Sequence, residues 1–496
     1  MSNTPIIGAD PRLYNEDLAP VTADRRTWRW TSIAALWVGM VVCVPTYTLS
    51  GFMIGAGMSW WQAILTVLLG QLIVLIPMML VGHAGTKHGI PFPVLLRSAF
   101  GTVGANVPAI LRGLVACGWF GIQTWVGGKA IYILLNTLSG DWFVGEALPV
   151  LGINFWQFAC FLGFWAVHIW FIARGTESIR WLETWAAPFL IVMGLALLAW
   201  AVSEAGGFGP MLSTPSQFGP GAPKEGQFWA VFFPSLTAMV GFWATLALNI
   251  PDFTRYCATQ RDQALGQMIG LPPTMVLFSF IGIAVTSATV VIYGRPISDP
   301  VELLGEMGGA TVVVALFVLA VATLTTNLAA NVVAPANGFS NIAPSKVSFR
   351  LGGYITAAIG VLIFPWKLWE SSQSYVFTWL IGYSALLGPI AGILIADYFL
   401  IRRTELDVAE LFRSQGRYRY KGGWNPVAIL ALVLGVLPNL PGFLHQIGVA
   451  VPEEPGLSDA LYPYAWFVGL FISGGLYAAL SWRQRVPGRP GHGWST

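Results

Sequence analysis

Long apolar stretches alternate with short polar ones along almost the whole chain. Windows of roughly 20 mostly apolar residues, the length that an α-helix needs to cross a bilayer, recur from about Trp30 to about Trp482. We count twelve such windows, which begin near residues 30, 60, 104, 154, 183, 230, 268, 311, 352, 374, 426 and 462. The pattern predicts an all-α membrane protein with twelve transmembrane helices, numbered here as spans one to twelve.

The polar segments between the spans are short, so we expect a single transmembrane domain over residues 30–482, with polar tails at residues 1–29 and 483–496. Charged residues make up 10% of the sequence and hydrophobic residues 55%, whereas a soluble domain carries about 25% charged residues. The composition agrees with the pattern, because most of this chain is expected to face lipid or other helices.

The basic residues are distributed unevenly between alternate loops. Loops on the side of the N-terminus hold Lys87, Arg97, Arg174, Arg180, Arg255, Arg261, Lys346, Arg350, Arg402, Arg403 and Arg483, and the opposite loops hold Lys129, Lys224, Arg295 and Lys367. Because basic loops stay in the cytoplasm, we predict an inner-membrane protein with both termini cytoplasmic. The basic run at 413–421 follows the same bias, so we expect membrane lipid around the chain, no nucleic acid and no obligate protein partner.

Two spans contain residues that interrupt helices. Span one carries Gly39 and Pro45, and span six carries Gly241 and Pro251. A proline removes one helical hydrogen bond and clashes with the preceding turn, so we predict that helices 1 and 6 are discontinuous and line a central site. The alternative is that these residues only kink the helices. Breaks five spans apart suggest a five-plus-five inverted repeat with two extra C-terminal helices, at about residues 30–204, 228–400 and 426–482.

Polar and aromatic residues recur at helical spacing in spans three and eight. Trp119 and Gln123 are four residues apart and share a face of span three, and Asn327 and Asn331 do the same in span eight. Together with Trp243 of span six, these side chains offer two flat rings and several amides. They suit a planar heterocycle with alternating N–H and C=O groups. The alternative is that they only join neighbouring helices.

The span centres lack acidic and basic residues that we would place in a central cavity, so we expect an uncharged substrate and no cofactor. A cation has oxygen ligands available in spans one and eight. They are the hydroxyls of Thr325 and Thr326 and the backbone carbonyls of Gly39, Val42 and Ala322. Hard cations prefer oxygen ligands, so this set would suit sodium.

Several motifs resemble one known family. They are NEDLAPV before span one, GWFGIQTW from Gly118 to Trp125, GFWATLALNIPDFTRY from Gly241 to Tyr256, TTNLAANVVAPANGFSN and GPIAGILIADYFLIRR. The chain resembles the nucleobase:cation symporter family of bacterial hydantoin, allantoin, uracil and cytosine permeases. The resemblance implies the five-plus-five fold of amino-acid and hydantoin transporters, alternating access, and sodium or proton as the coupling ion.

The resemblance also implies roles for individual residues. It places the substrate between Trp119 and Trp243, with Gln123 and Asn331 as amide contacts. It assigns the sodium site to Gly39, Val42, Ala322, Thr325 and Thr326, and a gate to Leu380. Two residues depart from the hydantoin carrier, which has a glutamine in place of Cys43 and a glycine in place of Phe242. The substrate of the present chain is therefore expected to differ from that of the hydantoin carrier.

Among substrates we favour uracil or allantoin over hydantoins and other planar heterocycles. A membrane-embedded enzyme is a remote alternative, since it needs a nucleophile with a base or a metal cluster. His83 and His88 are the only closely spaced histidines, and no acidic residue stands near them. A channel is the other alternative, but broken helices favour a carrier.

Overall fold

The computed structural model describes residues 8–174, 176–307, 309–371, 373–449 and 456–484. Residues 1–7 and 485–496 of the two predicted tails lie outside these ranges. In the described residues the regular secondary structure is helical, and the β structure consists of isolated bridges, which join Trp28 to Cys257, Ala147 to Asn154 and Lys421 to Trp424. The prediction of an all-α protein is confirmed.

The helices fall at the positions of the apolar windows. The first are α1 (Trp30–Val41), α2 (Val44–Gly55), α3 (Trp60–His88), α4 (Phe92–Phe100), α5 (Asn106–Ser139), α6 (Phe155–Arg174), α7 (Thr176–Glu204), α8 (Phe208–Leu212), α9 (Phe228–Asn249), α10 (Pro251–Thr254) and α11 (Gln260–Tyr293). They are followed by α12 (Pro300–Met307), α13 (Ala310–Asn331), α14 (Val333–Ile342), α15 (Phe349–Leu362), α16 (Pro365–Leu368), α17 (Ile381–Ile395), α18 (Pro426–Val436), α19 (Leu440–Gln446), α20 (Leu457–Leu461) and α21 (Ala465–Ser481).

Shorter helical segments complete the chain. Two π-helical segments, Gln373–Leu380 and Ala396–Ile401, flank α17. The 3₁₀ turns are Ala23–Arg25, Ala409–Phe412, Arg417–Arg419, Leu437–Asn439, Tyr462–Tyr464 and Trp482–Gln484. Because π-helical turns occur frequently at functional sites, the tenth span stands out among the long helices.

The described residues contain 9 helices long and apolar enough to cross a membrane, or 10 when α1 and α2 count as one bent span. Two shorter apolar helical stretches lie where spans five and nine are predicted. They are Leu190–Glu204, which is part of α7, and Phe349–Leu362, which is α15. The chain is therefore a multi-pass membrane protein, and the count of twelve spans stays a prediction.

The first span is broken as predicted. Helix α1 ends at Val41, α2 begins at Val44, and the two axes differ by 61°. Cys43 lies in the break with extended backbone (φ −149°, ψ 158°). Pro45 falls at the start of α2, where its missing N–H is tolerated because the first turn of a helix lacks acceptors.

The sixth span differs from the prediction, because α9 runs without a break from Phe228 to Asn249 and passes through Gly241. A Cβ atom on Gly241 would stand 2.2 Å from the Ser384 Oγ of α17. The Tyr383 hydroxyl donates to the Gly241 carbonyl at 2.8 Å. Gly241 therefore serves the close approach of two helices, and the prediction that helix 6 unwinds there is wrong.

The helices that surround the centre pack on one another in a closed circuit. Helix α5 packs on α13, α13 on α7, and α9 lies between α3 and α17. Helix α1 packs along α11, and α21 packs along α17 on the outside. Helices α5, α9 and α17 also contact one another, and α1, which ends at the break, contacts α13.

Residues 8–29 lie along one end of the bundle, which we call the N-terminal face. Backbone amides of this segment donate to the loops between helices: Val21 N to Gly89 O at 2.9 Å and Trp28 N to Tyr256 O at 2.9 Å. The amide of Asp10 donates to Phe412 O at 2.9 Å. These contacts place the loops after α3, α10 and the tenth span on the same face.

Candidate functional site

Trp119 of α5 and Trp243 of α9 meet a common aromatic ring, that of Phe242. The Trp119 and Phe242 centroids are 5.2 Å apart with the rings edge to face, and those of Phe242 and Trp243 are 4.9 Å apart. The exposed fractions of the two tryptophans are 5% and 3%. The structure thus brings the two predicted stacking residues into one buried cluster, with Phe242 in contact with both.

The tenth span adds rings that the sequence reasoning missed. Tyr375 and Trp379 of the π-helical segment, and Tyr383 of α17, lie 6.1, 6.0 and 6.4 Å from Trp119, all edge to face. We call the six rings of Trp119, Phe242, Trp243, Tyr375, Trp379 and Tyr383 the aromatic cluster. The stretch QSYVFTWL was the available signal, since it is the most aromatic part of that span.

Unpaired polar atoms point to a ligand at this cluster. The Gln123 Oε1, Trp243 Nε1, Trp379 Nε1 and Tyr375 hydroxyl are buried and have no hydrogen-bond partner. Most buried polar atoms in proteins are paired, because an unpaired one loses its hydration without compensation. Gln123 lies one helical turn from Trp119, so these donors and acceptors surround the same rings.

Asn327 and Asn331 of α13 form a hydrogen-bonded pair beside the cluster. The Asn331 Nδ2 donates to the Asn327 Oδ1 at 2.9 Å. The Asn327 Nδ2 in turn faces Phe120 O at 3.0 Å and His168 Nε2 at 3.1 Å. The exposed fraction of Asn331 is 7% and that of Asn327 is 0%. Asn331 is thus the member of the pair that remains available to a ligand.

The predicted cation ligands lie on α13 and at the end of α1, and these two helices contact each other. The hydroxyls of Thr325 and Thr326 both donate to the Ala322 carbonyl, at 2.7 and 3.1 Å, and both side chains are buried. Helix α1 ends at Val41, so carbonyls of its last turn, including that of Gly39, lack helical partners. These groups, with the Val42 carbonyl in the break, are neutral oxygens, and such a set fits sodium.

Cys43 and Leu380 lie at two irregular points of the backbone. The Cys43 thiol is 3.3 Å from the Thr46 Oγ1 and is buried in the break of the first span. Leu380 is fully buried at the junction of the π-helical segment and α17, and its carbonyl accepts from Ser384 Oγ at 2.6 Å. A residue at such a junction moves when the segment repacks, which is compatible with the predicted gate.

A cavity of about 630 Å³ opens on the face opposite the N-terminal face. We call it the vestibule, and its lining includes Trp125, Lys129, Asp299 and Trp369. The Lys129 Nζ donates to the Asp299 Oδ2 at 2.8 Å. Trp369 packs on Tyr375 with centroids 4.7 Å apart. Trp369 therefore connects the lining of the vestibule to the aromatic cluster through Tyr375.

Buried charges close the other side of the cluster, and the sequence reasoning missed them. Arg112 of α5 donates to the Asn249 Oδ1 of α9 at 2.7 and 3.0 Å. Near the N-terminal face, Arg402 contacts Asp397 at 3.2 Å with both side chains almost fully buried. Charged residues at the ends of apolar spans were the available signal.

The two closely spaced histidines take part in helix contacts. His83 Nδ1 lies 3.0 Å from the Tyr398 hydroxyl, and His88 Nε2 lies 3.0 Å from the Thr404 carbonyl. Both lie in the last turns of α3, which ends at His88. Across the described part of the chain, no group of three or more His, Cys, Asp or Glu side chains is arranged to hold a metal ion.

Known proteins resemble the chain over nearly its full length. A family model described as permease for cytosine/purines, uracil, thiamine, allantoin matches residues 20–469. The purine-uracil permease NCS1 of Arabidopsis thaliana is 48% identical over 94% of this chain and 78% of its own length. The allantoin permease of Bacillus subtilis is 42% identical over 95% of this chain and 93% of its own length.

Solved structures agree with this family. The inward-facing conformation of Mhp1 superposes with a TM-score of 0.77 at 26% identity, over 95% of this chain and 94% of Mhp1. Mhp1, a nucleobase-cation-symport-1 family transporter, in a closed conformation with bromovinylhydantoin bound gives a TM-score of 0.75 at 26% identity, over 95% and 96% of the two chains. The chain therefore belongs to the family of permeases for cytosine and purines, uracil, thiamine and allantoin, and it is a membrane transporter rather than an enzyme.

Proposed function

We propose that this protein is a cation-coupled symporter that imports a nucleobase or a related ureide, with uracil and allantoin as the leading substrates. The observation that carries the proposal is the convergence of unpaired polar atoms on buried aromatic rings, with Gln123 and Trp243 at its centre. Relatives named for purine and uracil and for allantoin support the same solutes.

In this proposal the substrate ring stacks between Trp119 and Trp243, and the amides of Gln123 and Asn331 bind its edge. Phe242 touches both tryptophans and narrows the space between them. A hydantoin with a bulky substituent needs more room than uracil, because the volume of a pocket limits the ligands it accepts. Phe242 therefore favours small rings, and Cys43 borders the same space from the break in span one.

We propose that the coupling cation is sodium, held by Gly39, Val42, Ala322, Thr325 and Thr326. Neutral oxygens support this assignment, because a monovalent hard cation needs such ligands and no counter-charge from a carboxylate. Proton coupling is the alternative. The ion would join the first and eighth spans, and in an alternating-access cycle this fixes one arrangement of the two repeats.

We further propose twelve spans in two inverted repeats, at about residues 30–204 and 228–400, and two extra helices at about 426–482. Both termini would face the cytoplasm, because the basic loops cluster on the N-terminal face. Membrane lipid would surround the bundle, and Leu380 would move with the π-helical segment as a gate. The break in span one and the irregular tenth span support this arrangement.

The binding step is tested by tryptophan fluorescence. Purified protein is titrated with uracil, allantoin, benzylhydantoin, cytosine and hypoxanthine, with and without sodium. We expect saturable quenching by uracil or allantoin that Trp119→Ala abolishes and that sodium strengthens. Trp142→Ala is the matched control, because Trp142 has an exposed fraction of 68% and lies outside the aromatic cluster. Quenching by none of the five compounds would reject this substrate class.

The cation is tested separately with Thr325→Val. We expect the sodium concentration needed for half-maximal quenching to rise about tenfold or more, since one oxygen ligand is lost. The matched control is Thr137→Val, because the Thr137 hydroxyl also donates to a backbone carbonyl one turn earlier but lies at the exposed end of α5. If neither variant alters the sodium dependence, the site is misplaced.

A further inference from the structure

We propose that His168 of α6 is a positioning residue, which acts through Asn327 to fix the amide orientation of Asn331, so that the site presents carbonyl acceptors and selects substrates with N–H donors. The inference rests on the proposed function. None of the predicted site residues lies on α6, and His168 has an exposed fraction of 0%. Its contacts determine both its tautomer and its effect.

The two ring nitrogens of His168 have different partners. The Nδ1 lies 2.9 Å from the Phe164 carbonyl, which can only accept, so Nδ1 carries the hydrogen. The Nε2 lies 3.1 Å from the Asn327 Nδ2, which can only donate. His168 is therefore neutral, with an Nε2 lone pair directed at Asn327.

Two further acceptors hold the Asn327 amide in one orientation. Its Nδ2 lies 3.0 Å from the Phe120 carbonyl and 3.1 Å from the Thr124 Oγ1. The Thr124 hydroxyl already donates to Phe120 O at 2.7 Å, so its oxygen faces Asn327 as an acceptor. A rotated amide would set the Asn327 Oδ1 against three acceptors. The Oδ1 is consequently turned toward Asn331.

This orientation passes to the ligand site. The Asn327 Oδ1 accepts from the Asn331 Nδ2 at 2.9 Å, which directs the Asn331 carbonyl oxygen away from α6. The Gln123 Oε1 is a second carbonyl acceptor without a partner. Two carbonyl acceptors are matched by two N–H groups on the ligand. The chemical class is therefore an imide or ureide with free N–H groups, and N-alkylated analogues leave an acceptor unpaired.

The histidine ring also fills space, so packing and hydrogen bonding need separate variants. The His168 ring packs edge to face on Phe120 at 5.1 Å and on Phe164 at 4.8 Å between centroids. His168→Met keeps a side chain of similar volume but supplies only a weak acceptor. His168→Gln offers an amide oxygen that can accept from Asn327.

The experiment measures equilibrium binding of uracil, 1-methyluracil and 3-methyluracil to the full-length wild type, His168→Met and His168→Gln. Size exclusion and thermal unfolding check that each variant is folded. We expect His168→Met to weaken uracil binding about tenfold, the loss of roughly one hydrogen bond, and to reduce its preference for uracil over the methylated compounds. His168→Gln should retain uracil affinity within about threefold and keep the preference.

The outcomes separate the two proposals. A wild type that binds uracil, together with a folded His168→Met that keeps both affinity and preference, overturns the role of His168 alone. A folded His168→Gln that loses both as fully as His168→Met also overturns it, since the acceptor would then be irrelevant. A folded wild type that binds no uracil overturns the inference, and one that also fails to bind allantoin in the fluorescence titration overturns the proposed function as well.

Discussion

The two sides of the aromatic cluster are closed in different ways. Toward the vestibule, the cluster ends at the ring of Tyr375, on which Trp369 packs, and the ion pair of Lys129 and Asp299 is partly exposed, with fractions of 24% and 11%. Toward the N-terminal face, the helices are joined by buried charged groups. A pair of rings can rotate apart at small cost, but a buried charge that loses its partner is strongly destabilising.

The network around Asp397 shows how firmly the N-terminal side is held. Its carboxylate accepts from Ser98 Oγ of α4 at 2.9 Å and from the Tyr477 hydroxyl of α21 at 2.7 Å, in addition to Arg402. Three parts of the chain therefore meet at one carboxylate. In contrast, Arg112 and Asn249 join only α5 to α9, which is a smaller contact.

The largest effect is expected from Asp397→Ala. The substitution leaves Arg402 buried without a counter-ion, so we predict a loss of about 3 to 5 kcal/mol in the free energy of unfolding. The measurement is chemical denaturation in detergent, followed by circular dichroism. The double variant Asp397→Leu, Arg402→Met removes both charges and should recover most of the loss. An unchanged single variant would mean that this network does not hold the N-terminal side.

Gly241→Ala, close to the aromatic cluster, is expected to lower the stability by a smaller amount. The new methyl group meets the Ser384 Oγ, and overpacking of this kind costs about 2 kcal/mol. Thermal unfolding should show the loss, and Ser384→Ala should relieve part of it in the double variant. If Gly241→Ala is neutral, or if the two substitutions are simply additive, α9 and α17 do not meet as described.

Lys129→Met in the vestibule should cost less, about 1.5 kcal/mol, because a charge-assisted hydrogen bond is lost but water can reach the remaining carboxylate. Burial raises the pKa of Asp299, but the ammonium of Lys129 outweighs burial, so the pKa lies below its ordinary value. A carboxyl whose pKa is lower in the folded state stabilises the fold at pH values above its unfolded pKa of about 4. This stabilisation is lost only as the pH falls through the folded pKa. In the variant burial acts on Asp299 without the ammonium and raises its pKa, so the variant loses stability as the carboxyl ionises. The difference between wild type and variant should thus grow as pH rises above about 4, and a difference that does not depend on pH would refute the assignment.

The smallest effect is expected from Lys87→Met on the N-terminal face. Lys87 contacts Glu405 at 2.9 Å, but their exposed fractions are 32% and 68%. Exposed ion pairs contribute about 0 to 1 kcal/mol, so unfolding should shift little and less at high salt. A loss as large as that of Asp397→Ala would show that charge on this face, rather than burial, sets the stability.

Features that depend on residues close together in the sequence could be predicted from the sequence alone. Pro45 indicated the break in span one, and the spacing of four residues between Asn327 and Asn331 indicated a pair that the structure joins at 2.9 Å. The prediction that helix 6 unwinds at Gly241 was wrong, because a glycine that unwinds a helix cannot be distinguished in the sequence from one that allows another helix to approach closely. Its partner Ser384 is brought there by the fold alone.

Contacts between distant residues explain what the sequence could not reveal. His168 meets Asn327 across 159 positions, and Arg112 meets Asn249 across 137. Neither histidine nor arginine stands in a local motif that indicates a partner. Phe242 was noted as a departure from the hydantoin carrier, but its contact with Trp119 follows only from the packing of α5 on α9.

A carrier with its substrate site at the aromatic cluster should take up radiolabelled uracil or allantoin into proteoliposomes. An inward sodium gradient is compared with a proton gradient, and wild type with Trp119→Ala and Trp142→Ala. We predict saturable uptake that the sodium gradient drives, that Trp119→Ala abolishes and that Trp142→Ala preserves. Uptake that rises linearly with solute concentration, or that persists in Trp119→Ala, would contradict the claim.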